Sequence, residues 1–270
     1  MVTLAHPQLQ SHRRNRTLDF IAAHTVFATP VEVLAALGVL LLSSVVYTLF
    51  GFGSGLISVG LLALFLPVQD VVVLILLFNI PIELWVLAHS YRQLPWRRIV
   101  ILIIAMTPLV PVGSYLLQVV EPMHLILALG AVLVVAGGLF LATPQRAAVA
   151  PNAAVEVGVG AVSGLLTGML GTGGPPVILY FELAKLDKTA FRGALLAIFF
   201  AMSLVRIGAY ALDDLITSPR LMSGALLIPA VIVGIAIGAR LHVGISQRVF
   251  RRFVSIGFVV LGAMWFVRSI

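Results

Sequence analysis

The chain has 270 residues, of which 61% are hydrophobic and only 10% are charged, and its mean hydropathy is +1.14. No ordinary soluble domain of this length is so apolar, so the composition indicates an integral membrane protein. Its formal charge of +7 lies mostly in short loops. In a membrane protein such charge sets the orientation in the bilayer and attracts anionic lipid, and it does not indicate nucleic-acid binding. The lack of cysteine excludes disulfides and thiolate metal sites, and six scattered histidines predict neither a metal site nor a cofactor.

Long apolar runs joined by short polar links favour helices over a β-barrel, whose strands would alternate apolar and polar residues. We predict an all-α integral membrane protein of two inverted repeats, each made of a glycine-tipped hairpin and three transmembrane helices. A polar lead segment (1–32) precedes the first membrane repeat (33–142), and a linker (143–154) precedes the second membrane repeat (155–270). The predicted hairpins are 33–66 and 155–186, and the predicted spans are 71–90, 98–119, 123–142, 189–212, 220–241 and 248–268.

Two glycine clusters interrupt apolar runs where a membrane helix would otherwise continue. Residues 51–55 read GFGSG and residues 171–176 read GTGGPP, with their first glycines 120 residues apart. Glycine costs about 1 kcal/mol and proline about 3 kcal/mol in a helix interior, so each cluster ends a helix. Irregular backbone at membrane depth is tolerated where it is buried in protein or lines a wet cavity, and paired breaks in two halves indicate a substrate site.

A second pair of segments repeats at almost the same spacing. Pro108 to Gly113 reads PLVPVG and Pro229 to Gly234 reads PAVIVG, 121 residues later. Glycine and proline are common in membrane helices, which accounts for isolated matches but not for a shared spacing. The two matches together predict an internal repeat.

Loop charges predict how the two halves are oriented. Basic residues mark the links 91–98, 143–154, 183–190 and 241–248, whereas 67–70, 119–122 and 213–219 carry acidic residues. Because positive loops remain in the cytoplasm, the first set is predicted to be cytoplasmic and the second set is not, so the halves cross in opposite senses. The tips of the two hairpins are then expected to approach each other from opposite faces.

These glycine clusters and the Pro-to-Gly pattern in the third helix of each half resemble the sulfite exporter TauE/SafE family, also called the toluene sulfonate uptake permease family. The likeness covers about residues 33–268, and the glycine-proline cluster at 171–176 is its most specific part. The resemblance implies transport of sulfur-containing anions such as sulfite, sulfonates and sulfoacetate-like compounds. It leaves the substrate and the direction of transport open.

Helices that restart after the glycines favour an anionic cargo independently of that resemblance. Unpaired amides and the helix dipole at a helix start attract negative charge, and glycine lets an oxyanion approach the backbone. The alternative is that the glycines only allow two hairpin arms to pack tightly. The predicted substrate-binding residues in the two clusters are Gly51, Phe52, Gly53, Ser54, Gly55, Gly171, Thr172, Gly173, Gly174 and Pro175.

Three polar residues within predicted spans complete the candidate site. Arg206 lies several turns from a span end, where an arginine fork matches two oxygens of a sulfonate; alternatively it reaches outward to Asp213 or Asp214. Asn79 either donates to a ligand or repairs the helix broken by Pro81. Glu83 is a candidate coupling group that carries a proton, or else the partner of a basic residue such as Arg206.

We therefore predict a secondary transporter for small sulfur-containing anions that works by alternating access in the cell inner membrane or plasma membrane. The expected partners are a small anionic substrate, the lipid bilayer, a coupling proton or sodium ion and a second copy of the chain. One alternative is a passive anion channel. The other is a membrane-embedded enzyme that acts on lipid phosphate, which is disfavoured because the glycine loops carry no His, Asp or Glu.

Overall fold

The computed structural model describes residues 23–90, 94–142, 152–186 and 188–241, together with positions 256, 259, 260, 263 and 264. Within these residues the chain forms ten helices and no strand, as predicted. The helices are α1 Pro30–Phe50, α2 Ser54–Leu62, α3 Val68–Ser90, α4 Trp96–Met106, α5 Leu109–Val119, α6 Pro122–Ala142, α7 Ala153–Leu170, α8 Gly174–Leu183, α9 Lys188–Leu212 and α10 Ser218–Arg240. Residues 1–22 of the predicted lead segment (1–32) and most of the predicted span 248–268 lie outside the described residues.

Six helical segments of the described chain are long and apolar enough to cross a membrane, with α4 and α5 counted as one segment. Many of their large apolar side chains are exposed, including Val31, Ile104 and Ile232. In a membrane these side chains face lipid, so their exposure has no desolvation cost. The protein is a multi-pass membrane protein.

Two long helices end at the glycine clusters by the same capping geometry. Helix α1 ends at Gly51 with φ 79°, and α7 ends at Gly171 with φ 66°. Each of these glycines donates its amide to the carbonyl four residues earlier, at 2.8 Å and 3.1 Å. A left-handed backbone after a helix strongly favours glycine. We call residues 51–53 and 171–173 the glycine elbows.

The elbows lead into the short helices α2 and α8, so the predicted hairpins are present, but their arms are unequal. Helix α1 has 21 residues against 9 in α2, and α7 has 18 residues against 10 in α8. At 1.5 Å per residue, α1 alone is about 31 Å long, which is long enough to span a bilayer. Only the second arm of each hairpin is shorter than a span.

Proline changes two other elements in different ways. The predicted span 98–119 is divided into α4 and α5 by a turn at Thr107 and Pro108, because proline has no amide to continue the helix. Helix α3, by contrast, runs through Pro81, and α10 runs through Pro229. The expectation that Pro81 blocks regular helix was therefore wrong.

Helices α3 and α9 form the centre of the molecule and pack against each other. Residues 71–76 of α3 and 194–198 of α9 are buried on every face. Around them α1 packs against α10, while α7 packs against α4 and α5. Each long hairpin arm thus contacts the second predicted span of the other half.

The links gather at two ends of the molecule. At one end Arg220 Nε lies 2.6 Å from Asp70 Oδ1, and Ser114 donates to Asp213 at 2.5 Å. At the other end Tyr180 donates to Glu156 at 2.5 Å, and the charge of Arg98 acts on Tyr180. The contact of Arg220 with Asp70 agrees with the predicted grouping of links 67–70 and 213–219. The grouping of the other links and the side of the membrane that each end faces stay predictions.

Candidate functional site

The two glycine elbows meet around a small cavity between α2, α3, α8 and α9. A Cβ placed on Gly55 would lie 3.3 Å from the carbonyl oxygen of Gly171 and 3.4 Å from Thr172. The two tips therefore lie against each other, and their approach from opposite faces of the membrane stays a prediction. The cavity volume is about 50 Å³, which corresponds to roughly three to five water molecules or one small anionic headgroup.

Most of the predicted site residues surround this cavity. The lining residues are Tyr47, Phe52, Gly53, Ser54, Gly55, Leu56, Asn79, Glu83, Thr167, Gly171, Thr172, Gly173, Gly174, Ile178, Phe199, Met202, Ser203 and Arg206. Two predicted residues lie elsewhere. Gly51 faces Arg192, whose Cγ would be 2.6 Å from an added Cβ, and Pro175 faces an apolar groove between α6, α7 and α8.

Six backbone amides at the two helix starts have no hydrogen-bond acceptor in the described chain. They belong to Ser54, Gly55 and Leu56 at the start of α2, and to Thr172, Gly173 and Gly174 at the start of α8. All six residues line the cavity. Unpaired amides at a buried helix start are costly unless a ligand or water accepts from them, and the helix dipoles add positive potential there.

Tight packing accounts for one of these glycines as well. A Cβ on Gly173 would collide with the Thr167 hydroxyl and the Ser163 carbonyl. The packing alternative therefore applies to Gly173, and a bulky residue there would separate α7 from α8. At Gly174, by contrast, an added Cβ would meet only the ends of Ile178 and Phe199, at 3.2 Å and 3.4 Å, so Gly174 keeps the cavity open.

Arg206 lies on α9 at the edge of the cavity and is only 3% exposed. Its Nη2 donates to the Val72 carbonyl at 2.8 Å, its Nε donates to the Tyr210 hydroxyl at 3.4 Å, and its guanidinium stacks 5.1 Å from the Tyr210 ring. The alternative contact with Asp213 or Asp214 is wrong, because Asp213 accepts from Ser114. Among the described residues no carboxylate lies within ion-pair distance of Arg206, and its Nη1 has no acceptor.

Glu83 is fully buried across the cavity from the elbows and joins three helices. Its Oε1 accepts from the Tyr47 hydroxyl at 3.0 Å and its Oε2 accepts from the Ser203 hydroxyl at 2.8 Å. Glu83 does not form a direct pair with Arg206, although the guanidinium is near enough to act on the carboxyl group electrostatically. Two neutral donors thus hold both oxygens of the carboxyl group in place.

Asn79 neither repairs the helix at Pro81 nor lies apart from the elbows. Its Oδ1 accepts from Ser54 Oγ at 3.1 Å, which ties α3 to the start of α2. That bond leaves the amide nitrogen of Asn79 as a donor toward the cavity. The side chain thus positions the first elbow and supplies polarity to the site.

Sequence reasoning missed several lining residues, chief among them Tyr47 and Thr167. They lie 120 residues apart, four positions before Gly51 and Gly171, so the repeat spacing alone would have pointed to both. Phe199 and Met202 carry no such signal, because aromatic and methionine side chains are common both in the core and on the lipid-facing surface of membrane helices. Only the packing of α9 places them at the cavity.

Comparison with known proteins gives a consistent result. The family model described as sulfite exporter TauE/SafE matches residues 34–264. The chain is similar to the protein of Cupriavidus necator named "Probable sulfite/organosulfonate exporter TauE", with 28% identity over 211 residues, which cover 76% of this chain and 82% of that protein. No solved structure matches the chain significantly.

Proposed function

The chain belongs to the sulfite exporter TauE/SafE family, and we propose that it is a secondary transporter that moves small sulfur-containing oxyanions across the cell membrane by alternating access. One observation carries the proposal. Within the described part of the chain, the six unpaired amides and the guanidinium of Arg206, whose Nη1 has no acceptor there, belong to residues that line a single cavity. Hydrogen-bond donors on several sides suit a tetrahedral oxyanion, which offers oxygens in several directions.

The cavity dimensions favour sulfite or the headgroup of a short organosulfonate. At about 50 Å³ the space holds an –SO₃ group but no long carbon chain. Phe199 and Met202 supply an apolar wall beside the amides, against which a one- or two-carbon tail would rest. The similar protein from Cupriavidus necator is named for sulfite and organosulfonate, which is the same substrate class.

Reciprocal contacts between the halves support alternating access by inverted repeats. The elbow at Gly51 rests on Arg192 of α9, and the elbow at Gly171 rests on Val72 of α3. Positions 72 and 192 are 120 residues apart, as are the two glycines. A two-fold relation between repeats requires this exchange, in which each elbow rests on the other half. Two equivalent halves can then open in turn to the two sides of the membrane.

Glu83 is the proposed coupling group, with a proton as the coupling ion. When Glu83 is ionised, its charge offsets that of Arg206 and repels an incoming anion; when it is protonated, the site has a net positive charge. Anion binding and proton binding then favour each other, and affinity falls as the pH rises through the titration of Glu83. Glu83→Gln should keep anion binding but remove its pH dependence, and a pH profile of affinity unchanged in that variant would exclude Glu83.

Flux in proteoliposomes tests the function directly. Purified protein should accumulate labelled sulfite or isethionate against a gradient when a proton gradient is imposed, and acetate should compete weakly. Arg206→Gln is the matched variant with weakened anion binding, in which this accumulation should be strongly reduced at low substrate concentration. Downhill flux that no gradient can drive uphill would identify a passive channel. Hydrolysis of a lipid phosphate without anion flux would identify an enzyme, a class that membership of a transporter family disfavours.

A further inference from the structure

Helix α9 carries a second arginine whose contacts the transport site does not explain. Arg192 precedes Arg206 by 14 residues, or about four helical turns, so the two side chains leave α9 on nearly the same face. Arg206 lies beneath the elbow at Gly171, with Nη2 3.0 Å from an added Cβ. Arg192 lies beneath the other elbow, with Cγ 2.6 Å from an added Cβ at Gly51. Gly51 thus makes room for this arginine.

The guanidinium of Arg192 is only partly satisfied. Its Nη2 donates to the Thr48 carbonyl at 2.5 Å, at the C-terminal end of α1. Its Nε is buried and has no acceptor in the described part of the chain, where no carboxylate lies within 4 Å of the group. A buried, unpartnered donor on a charged side chain is costly, and such groups usually mark a ligand or water site.

An aromatic pair joins the residue next to Arg192 on α9 to the cavity wall. Phe52 lines the cavity, and its ring meets the ring of Phe191 edge to face with centroids 6.2 Å apart. Tyr47 also lines the cavity, and it interacts electrostatically with both Glu83 and Arg192. Arg192 therefore lies immediately behind the cavity wall, toward the end of the molecule where α9 begins.

At the opposite elbow the position equivalent to Arg192 in the repeat is the apolar residue Val72, and the cation beside that elbow is Arg206 of the central site itself. Where Arg192 supports Gly51, Val72 supports Gly171, with its Cγ1 3.3 Å from an added Cβ. The residues that support the two elbows thus differ. A path from the cavity toward the start of α9 would pass the cation of Arg192, whereas the equivalent position at the other elbow is apolar.

We propose that Arg192 is a second anion-binding station, which receives a sulfonate or sulfite oxygen on the path between the central cavity and the end where α9 begins. This inference rests on the proposed transport function. Movement of the Phe52 and Phe191 rings would connect the two stations. An arginine there raises the local concentration of anion on one side only, so the two faces of the protein should differ in apparent affinity.

A purely structural role is the competing explanation. The positive charge of Arg192 at the C-terminal end of α1 would stabilise that helix by capping Thr48. Such a cap predicts lower thermal stability on substitution, without any difference between the two faces. Arg192→Lys keeps the charge and a donor for Thr48, and it separates the two roles.

The test measures the KM for labelled isethionate from each face, in right-side-out and inside-out membrane vesicles. Arg192→Gln should raise the KM at the face where α9 begins by about tenfold or more, as expected for a lost charge-assisted bond, with a change below about twofold at the opposite face. Arg192→Lys should recover part of this loss. Arg206→Gln should raise the KM at both faces.

Three outcomes would overturn the second station. The first is an unchanged KM at both faces in Arg192→Gln, and the second is an equal rise of the KM at both faces in that variant. If Arg192→Gln does not fold, the third is an unchanged KM in Arg192→Lys. Each outcome is read against wild-type vesicles, whose flux alone decides the proposed transport function. Loss of transport in the wild type is therefore distinguishable from failure of the station.

Discussion

Arg206 is held so that part of its guanidinium remains available deep in the membrane. Val72 and Tyr210 occupy Nη2 and Nε, and they fix the plane of the group while Nη1 faces no acceptor. The same contacts make the residue structural, so truncation to alanine would combine a loss of binding with a loss of fold. Milder substitutions are needed to separate the two effects.

We expect Arg206→Lys to weaken anion binding and Arg206→Gln to weaken it by at least about tenfold, since charge-assisted hydrogen bonds contribute about 1.5–3 kcal/mol each. Lysine keeps the charge but loses the planar two-pronged donor. Arg220→Gln is the matched control, because Arg220 pairs with Asp70 at the end of the molecule. Calorimetric titration with isethionate measures the affinities, and wild-type affinity in Arg206→Gln would remove Arg206 from the site.

Gly174 offers a cleaner test of the cavity than Gly173 does. In Gly174→Ala the added methyl group meets Ile178 and Phe199 at ordinary or slightly tight distances, so the protein should fold while the cavity shrinks. We expect affinity for isethionate to fall severalfold, with little change in melting temperature. Gly138→Ala is the control, because nothing lies within 4 Å of its added methyl group. Equal affinities in the two variants would contradict the assignment of Gly174 to the cavity.

At the scale of single elements, helix α7 is specified by a row of glycines at every fourth position. Added Cβ atoms on Gly160, Gly164 and Gly168 would collide with residues of α4 and α5. Small residues at this spacing let helix backbones approach closely in a membrane, where dispersion and backbone contacts replace the hydrophobic effect. This seam holds the second hairpin against the first half.

Gly168→Ala should therefore destabilise the protein by about 1–3 kcal/mol or more, because its methyl group would meet the backbone of Val110 and Ser114. Gly158→Ala, on the same helix, has nothing within 4 Å and should be neutral or stabilising by up to about 1 kcal/mol. Thermal unfolding in detergent compares the two variants. Similar melting temperatures would show that the seam does not determine stability.

At the scale of the whole molecule, the long hairpin arm of each half packs against a helix of the other half. Helix α1 of the first half packs with α10 of the second, and α7 of the second half packs with α4 and α5 of the first. A conformational change that preserves these tight contacts would move each hairpin with the second predicted span of the other half. Under the proposed alternating access, each moving unit would then combine parts of both sequence repeats.

The membrane topology predicted from the loop charges can be tested by chemical labelling. The chain has no cysteine, so single cysteines at the exposed positions Arg97, Ala153, Glu121 and Ser218 are unique labels. We expect Arg97→Cys and Ala153→Cys to react with an impermeant maleimide only from the cytoplasm, and Glu121→Cys and Ser218→Cys only from the outside. Reaction of Arg97→Cys and Ala153→Cys from opposite sides would refute the inverted arrangement.

The sequence by itself determined the membrane class and the helix breaks, and it predicted a grouping of the links. These features depend on hydropathy, on the backbone limits of glycine and proline, and on loop charge, all of which act locally. The repeat spacing also identified Gly53, Ser54, Gly171 and Thr172 as residues near one site. Each of them lines the cavity.

Only the tertiary structure decided which polar groups face each other and which glycines serve packing. In the structure Gly51 makes room for the side chain of Arg192, and Gly173 makes room for that of Thr167. Glu83 accepts hydrogen bonds from Tyr47 and Ser203 and does not pair with Arg206. Residues far apart in the chain make these contacts, and the relative rotation of packed helices selects them. No local pattern encodes that rotation, because it is set by the close approach of whole helix surfaces.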